Sequence, residues 1–123
     1  MFYIGLVLAG GFGALLRYLI GRLTINLGWA ALPFGTLIAN LLGCFLIGYF
    51  SSVLVHKWSA SQDVQTIVMT GFLGGFTTFS AFSLETINML EQGASGKAIV
   101  YIFLQLTLCL GMCFLGLVLA RQT

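Results

Sequence analysis

The sequence has very little charge. Its 123 residues include five Lys or Arg, three Asp or Glu and one His, so 7% of the chain is charged. A soluble domain carries about 25% charged residues. Here 59% of the residues are hydrophobic and the mean hydropathy is +1.07. A chain of this kind resides in a membrane, in contact with the lipid bilayer. The net charge of +2 is too small for nucleic-acid binding, and any cationic attraction is local.

The scarcity of reactive groups excludes further chemistry. The three cysteines, Cys44, Cys109 and Cys113, all fall in apolar segments. Their number is odd and none lies in a loop, so they read as small buried hydrophobes. Cys109 and Cys113 share a helix face, with no nearby His or carboxylate to complete a metal site. His56 stands alone beside Lys57 at a segment end, where a solvated imidazole is the default. No nucleophile–base pair or paired carboxylates occur, which argues against an enzyme. The N-terminus lacks a basic n-region and a small-residue cleavage site, so it reads as a first spanning helix.

A helix needs roughly 20 apolar residues to cross a bilayer. The chain therefore divides into a single all-α transmembrane domain with four helices, at about 2–21, 34–55, 64–90 and 98–120. Thr24 to Leu32 form a polar connection, and Pro33, the only proline, suits the start of the second helix. His56 to Gln62 form the middle loop, with Ser61 and Asp63 as helix-start residues. Small residues four apart, Ala9 with Gly13, Gly35 with Ala39 and Gly43, and Gly71 with Gly75, make strips for close helix approach.

The chain is organised around Gly74-Gly75-Phe76-Thr77-Thr78-Phe79-Ser80-Ala81-Phe82-Ser83. Two adjacent glycines at bilayer depth weaken a helix. Backbone freed from helical bonding must face protein, water or an ion, because it cannot face lipid. Thr77, Ser80 and Ser83 recur every third residue, and so do Phe76, Phe79 and Phe82. On a helix these are two adjacent stripes, one of hydroxyls and one of rings. Singly, such hydroxyls bond to their own backbone and such rings pack. Together, after a broken helix, they indicate a path for a small ion.

Outside this stretch few polar groups lie within the spans. Arg17 either snorkels to the interface or lines a wet vestibule that draws anions. Asn40 lies deep in the second helix, where a buried amide either fastens helices together or turns its NH₂ donors to an anion. Glu85 is the only carboxylate within a span, near the surface or at a pore mouth. Tyr101, Gln105 and Cys109 form a mildly polar stripe. With four crossings, Lys57 and Arg121 fall on one side and Arg22 and Lys97 on the other. The bias that fixes orientation is nearly absent. Two oppositely inserted copies would make an inverted, dual-topology homodimer.

Three blocks carry a family resemblance: Gly10 to Tyr18 (GGFGALLRY), Gly35 to Gly43 (GTLIANLLG) and Thr70 to Glu85 (TGFLGGFTTFSAFSLE). Over its full length the chain closely resembles the CrcB/Fluc family of bacterial fluoride channels. The resemblance implies an inverted homodimer in the bacterial plasma (inner) membrane, exporting fluoride passively through two antiparallel pores. It implies a structural sodium ion at the dimer centre, held by the backbone carbonyls of Gly74 and Thr77 at a break in the third helix. It implies that Phe79 and Phe82 are the paired pore rings and that Asn40 lies in the pore. Thr78, Ser80 and Ser83 would form or support a polar track, and the resemblance extends the fluoride pathway to Arg17, Glu85 and Tyr101. Ala81 stands where many relatives have a hydroxyl, and Tyr18 where relatives often carry Trp.

The residues suit that chemistry. Fluoride is small and tightly hydrated, so a pore must replace water with donors, which Asn, Ser and Thr supply. Phenyl edges carry the positive end of the ring quadrupole, and conduction needs binding weak enough to permit exit. The alternative function is a small dual-topology proton-coupled drug exporter, which needs a membrane-embedded carboxylate. The first helix has none. A purely structural subunit would need neither Asn40 nor the stripes together.

Overall fold

The computed structural model describes residues 1–123. It is all helical, and four helices are long and apolar enough to cross a membrane: Phe2–Asn26, Phe34–Lys57, Gln62–Glu91 and Ser95–Gln122. We denote as α1 Phe2–Asn26 and as α2 Phe34–Ser52, the latter continuing into a π-helical turn at Val53–Lys57. The third span consists of α3 (Gln62–Thr66), a π-helical stretch (Ile67–Leu73), α4 (Gly74–Phe76) and α5 (Phe79–Glu91). The last helix is α6, Ser95–Gln122.

Helix boundaries follow local chemistry. Ser61 begins the third span as its Oγ accepts from the Val64 N–H at 3.3 Å. α1 continues past Gly21, and Thr24, expected in a loop, is a buried residue of this helix. The reason is packing. A Cβ on Gly35 would stand 2.7 Å from the Gly21 Cα and 3.2 Å from the Thr24 hydroxyl, so α1 stays helical along its contact with α2. Gly28, at φ +77°, then turns the chain.

α2 packs most extensively on α6, while α1 packs on the π-helical stretch and on α4. Gly48 faces the Cys113 carbonyl, and Gly116 faces the Phe45 carbonyl. The two helices therefore approach almost backbone to backbone, as small residues in membrane helices allow. The core is small: Leu37, Phe82 and Tyr101 form its buried cluster. Large apolar residues such as Val7, Phe79, Phe103 and Leu110 stay exposed, since burial against lipid removes the need for an internal core.

The glycine pair of the third span has a different local role from the one its composition indicates. Gly74 is helical (φ −63°, ψ −38°), and a Cβ on Gly75 would collide with the Gly10 carbonyl of α1. Gly75 thus admits a neighbouring helix, whereas a Cβ on Gly74 would meet nothing nearer than the Met69 carbonyl of its own span, at 3.8 Å. The extended residues come just after them, at Thr77 (φ −89°, ψ 160°) and Thr78 (φ −154°, ψ 121°). Phe76 is consequently not in one stripe with Phe79 and Phe82. It is buried against Phe72, their rings 6.0 Å apart.

Candidate functional site

The site begins where the backbone is extended. Thr78 cannot complete a helical hydrogen bond to Gly74, and its N–H instead donates to Asn40 Oδ1 at 2.8 Å. Asn40 Nδ2 donates back to the Thr78 carbonyl at 3.0 Å. One amide side chain thus pairs with both backbone groups of Thr78, as a neighbouring strand would. The same Nδ2 donates to Gln105 Oε1 at 3.1 Å. An amide nitrogen has two hydrogens, so both are engaged within the chain. Thr78 caps α5, its Oγ1 accepting from the Ala81 N–H at 3.1 Å. That oxygen is also 3.2 Å from Ser80 Oγ.

From Asn40 the polar groups continue through the bundle. Gln105 Nε2 donates to the Tyr101 hydroxyl at 3.1 Å, and Tyr101, fully buried, donates to Glu85 Oε2 at 3.4 Å. Glu85 Oε1 accepts from Thr36 Oγ1 at 2.7 Å. The run Thr36–Glu85–Tyr101–Gln105–Asn40–Thr78–Ser80 is thereby joined bond by bond. No buried side-chain nitrogen or oxygen is left without a partner, as burial of polar groups in an apolar medium demands.

This run joins two cavities. The outer one, about 440 Å³, is lined by Thr36 and Glu85 together with Trp29, Gln92 and Lys97. The inner one, about 260 Å³, is lined by Asn40, Gln105, Thr77, Thr78, Phe79 and Phe82 and by Cys44 and Cys109. The two rings stand edge to face at 5.4 Å, and Phe82 lies 5.4 Å from the Tyr101 ring. Phe82 is buried at 8% exposure whereas Phe79 is 73% exposed. One ring belongs to the core and the other looks outward.

The residues singled out in the sequence separate into groups. Asn40, Thr78, Ser80, Glu85 and Tyr101 share the run, and Phe79 and Phe82 flank its inner end. The Ser83 hydroxyl donates to the Phe79 carbonyl and the Thr77 hydroxyl to the Leu73 carbonyl, both at 2.9 Å, so these donors serve their own backbone. Arg17 lies apart from the run. Its Nε donates to the Gly75 carbonyl at 3.3 Å, an acceptor that the interrupted helix leaves over. Thr36 carries the run without having been singled out, and Gln105, read only as part of a mildly polar stripe, stands at its middle. Both have a sequence signature, since Thr36 is one turn before Asn40 and Gln105 one turn after Tyr101 on shared helix faces.

The fold and the site together define a class: a small, multi-pass helical membrane protein with a hydrogen-bonded polar run inside an otherwise apolar bundle. Residues 4–117 match the family described as CrcB-like protein, Camphor Resistance (CrcB), and the chain belongs to that family. It is 43% identical over 122 residues to a protein of Rhizobium meliloti named fluoride-specific ion channel FluC, covering 98% of each chain. A protein of the same name from Rhizobium etli is 42% identical over 112 residues, covering 91% of this chain and 90% of the relative. Another, from Legionella pneumophila, is 40% identical over 119 residues, covering 97% and 89%.

Proposed function

We propose that this chain is the subunit of a fluoride channel that lets fluoride leave the bacterial cytoplasm passively, through two antiparallel pores at the interface of an inverted homodimer in the inner membrane. The names of its relatives supply the ion. The observation that carries the reading is the continuous polar run between the two cavities, which offers an anion donors at a depth where lipid offers none. Fluoride entering from the outer cavity exchanges water for Thr36 and Tyr101 hydroxyls and then for the amides of Gln105 and Asn40. Asn40 yields a hydrogen to fluoride by releasing Gln105 Oε1, one acceptor replacing another. Ser80 and the positive edges of Phe79 and Phe82 complete the contact without holding the ion tightly. Lys97 at the outer cavity offsets the negative charge of Glu85.

A structural sodium ion is part of the proposal, and the residues fit it. The Thr77 carbonyl accepts no hydrogen bond within the chain, and the N–H that would have met the Gly74 carbonyl is given to Asn40. Hard cations take such oxygens. Two oxygens are too few for such an ion's shell, so a second, inverted copy would complete it. When bound, the ion supplies positive charge beside the pores and holds the interrupted segments together. Proton-coupled drug export is disfavoured because both oxygens of Glu85, the only carboxylate away from the span ends, already accept hydrogen bonds. The test is fluoride efflux from liposomes containing only this protein. Efflux no faster than from protein-free liposomes would sink the reading, and efflux that required a proton gradient would favour the exporter.

A further inference from the structure

We propose that the thiols of Cys44 and Cys109 form a binding site for a soft, two-coordinate cation of the Cu(I), Ag(I) or Hg(II) class, and that a cation held there closes the polar run. The two residues come from the facing helices α2 and α6 and line the same inner cavity as Asn40 and Phe79. Both border that one cavity, and neither is in a disulfide. The Cys109 thiol donates to Gln105 Oε1 at 3.5 Å, the oxygen that also accepts from Asn40. The pair is thus joined to the polar run and has no other assigned task.

The donor set selects the ligand class. No group of three His, Cys, Asp or Glu side chains converges, so an ion needing four such ligands is not served. Sulfur ligands select soft metals, and two thiolates from facing helices suit an ion that prefers two-fold coordination. Mercuric chloride, a neutral species, can enter an apolar cavity. Each thiol gives up a proton to the medium, two chlorides leave, two Hg–S bonds form, and no electron changes hands. The bound ion then fills space beside Asn40 and removes the S–H donor from Gln105. Binding stands independently, while closure rests on the fluoride reading above.

The experiment has two arms. Purified protein is titrated with mercuric chloride and followed by the ultraviolet sulfur-to-mercury charge-transfer band. The band is expected to saturate at one mercury per chain, to be lost in Cys44→Ser and in Cys109→Ser, and to persist in Cys113→Ser. In the second arm, mercuric chloride stops fluoride efflux from liposomes and excess dithiothreitol restores it. Cys44→Ser and Cys109→Ser each keep their own untreated rate when mercury is added. A band that survives in either of these variants, or vanishes in Cys113→Ser, overturns the site. Stoichiometric binding with undiminished efflux overturns closure. Absence of efflux before mercury is added refutes the fluoride reading and with it closure, while the titration still decides the site.

Discussion

Replacing Asn40 by Asp changes one atom pair and reverses its sense. The remaining oxygen can still accept from the Thr78 N–H, now at 2.8 Å. The NH₂ group is lost, and with it the donors to the Thr78 carbonyl at 3.0 Å and to Gln105 Oε1 at 3.1 Å. A buried acceptor without a donor costs about 1–3 kcal/mol. The Thr78 carbonyl is left in that position, Gln105 Oε1 keeps only the weak Cys109 S–H at 3.5 Å, and an ionised Asp adds repulsion. A protonated Asp has a single O–H and serves one acceptor, so one of the two bonds is lost in either state, a cost of about 1 kcal/mol or more. The same change presents fluoride with an acceptor instead of a donor. With about 1.4 kcal/mol per tenfold in rate, efflux should fall by about tenfold or more. The assay pairs fluoride efflux from liposomes with thermal denaturation in detergent. Both should drop in Asn40→Asp. A lowered melting temperature with wild-type efflux would make Asn40 a fastener only, and wild-type values of both would remove it from the site altogether.

Further predictions follow from the same geometry. Phe79→Ile and Phe82→Ile should both slow fluoride efflux, because Ile lacks the ring edge, but only Phe82→Ile should cost stability, about 1–2 kcal/mol, since only Phe82 is buried; wild-type efflux in both variants would defeat the aromatic part of the path. Gly116→Ala should destabilise by about 1–3 kcal/mol, as its Cβ would collide with the Phe45 carbonyl and stand 2.9 Å from the Tyr49 nitrogen. Gly111→Ala, with nothing within 4 Å, should be neutral or stabilising by up to about 1 kcal/mol, and equal melting temperatures for the two variants would contradict the close α2–α6 approach. A cysteine placed at Lys97, in the first turn of α6, on a background without the native cysteines, should be labelled from both sides of the membrane in cells. Labelling from one side only would rule out dual topology.

Much of the architecture is legible before any coordinates, because a membrane imposes it. Scarce charge and the length of a bilayer crossing place four helices, and four-residue spacing of small residues marks where they touch. Gly35, Gly43, Gly71 and Gly75 all meet a neighbouring element. What is not legible is tertiary choice. The glycine pair predicts local weakness, yet α1 uses the missing Cβ for packing and the extended residues shift to Thr77 and Thr78. A three-residue stripe assumes an unbroken helix, so it fails across those two residues. The hydroxyls of Thr77 and Ser83 have partners in their own backbone at hand, and spacing cannot say that Ser80 and Thr78 turn to each other. The π-helical stretches have no signature in composition at all.

The extended pair at Thr77 and Thr78 is held from two sides. Gly10, Gly13 and Gly75 let α1 approach α4 closely enough for Arg17 to reach the Gly75 carbonyl. On the other side Gly43 faces the Thr77 side chain, which brings Asn40, one turn earlier on α2, against the Thr78 backbone. Carbonyls released by a helix interruption would be costly in lipid. Here the Gly75 carbonyl is taken by a guanidinium and the Thr78 carbonyl by an amide, while the carbonyls of Gly74 and Thr77 stay available. The residues that stabilise the backbone are also those that begin the polar run. Asn40 is bonded to Thr78 at one end and to Gln105 at the other, so movement of the extended segment must change the hydrogen bonding that an anion meets in the inner cavity. Structural support and ion path share one side chain, which is why removing its donors is expected to weaken both at once.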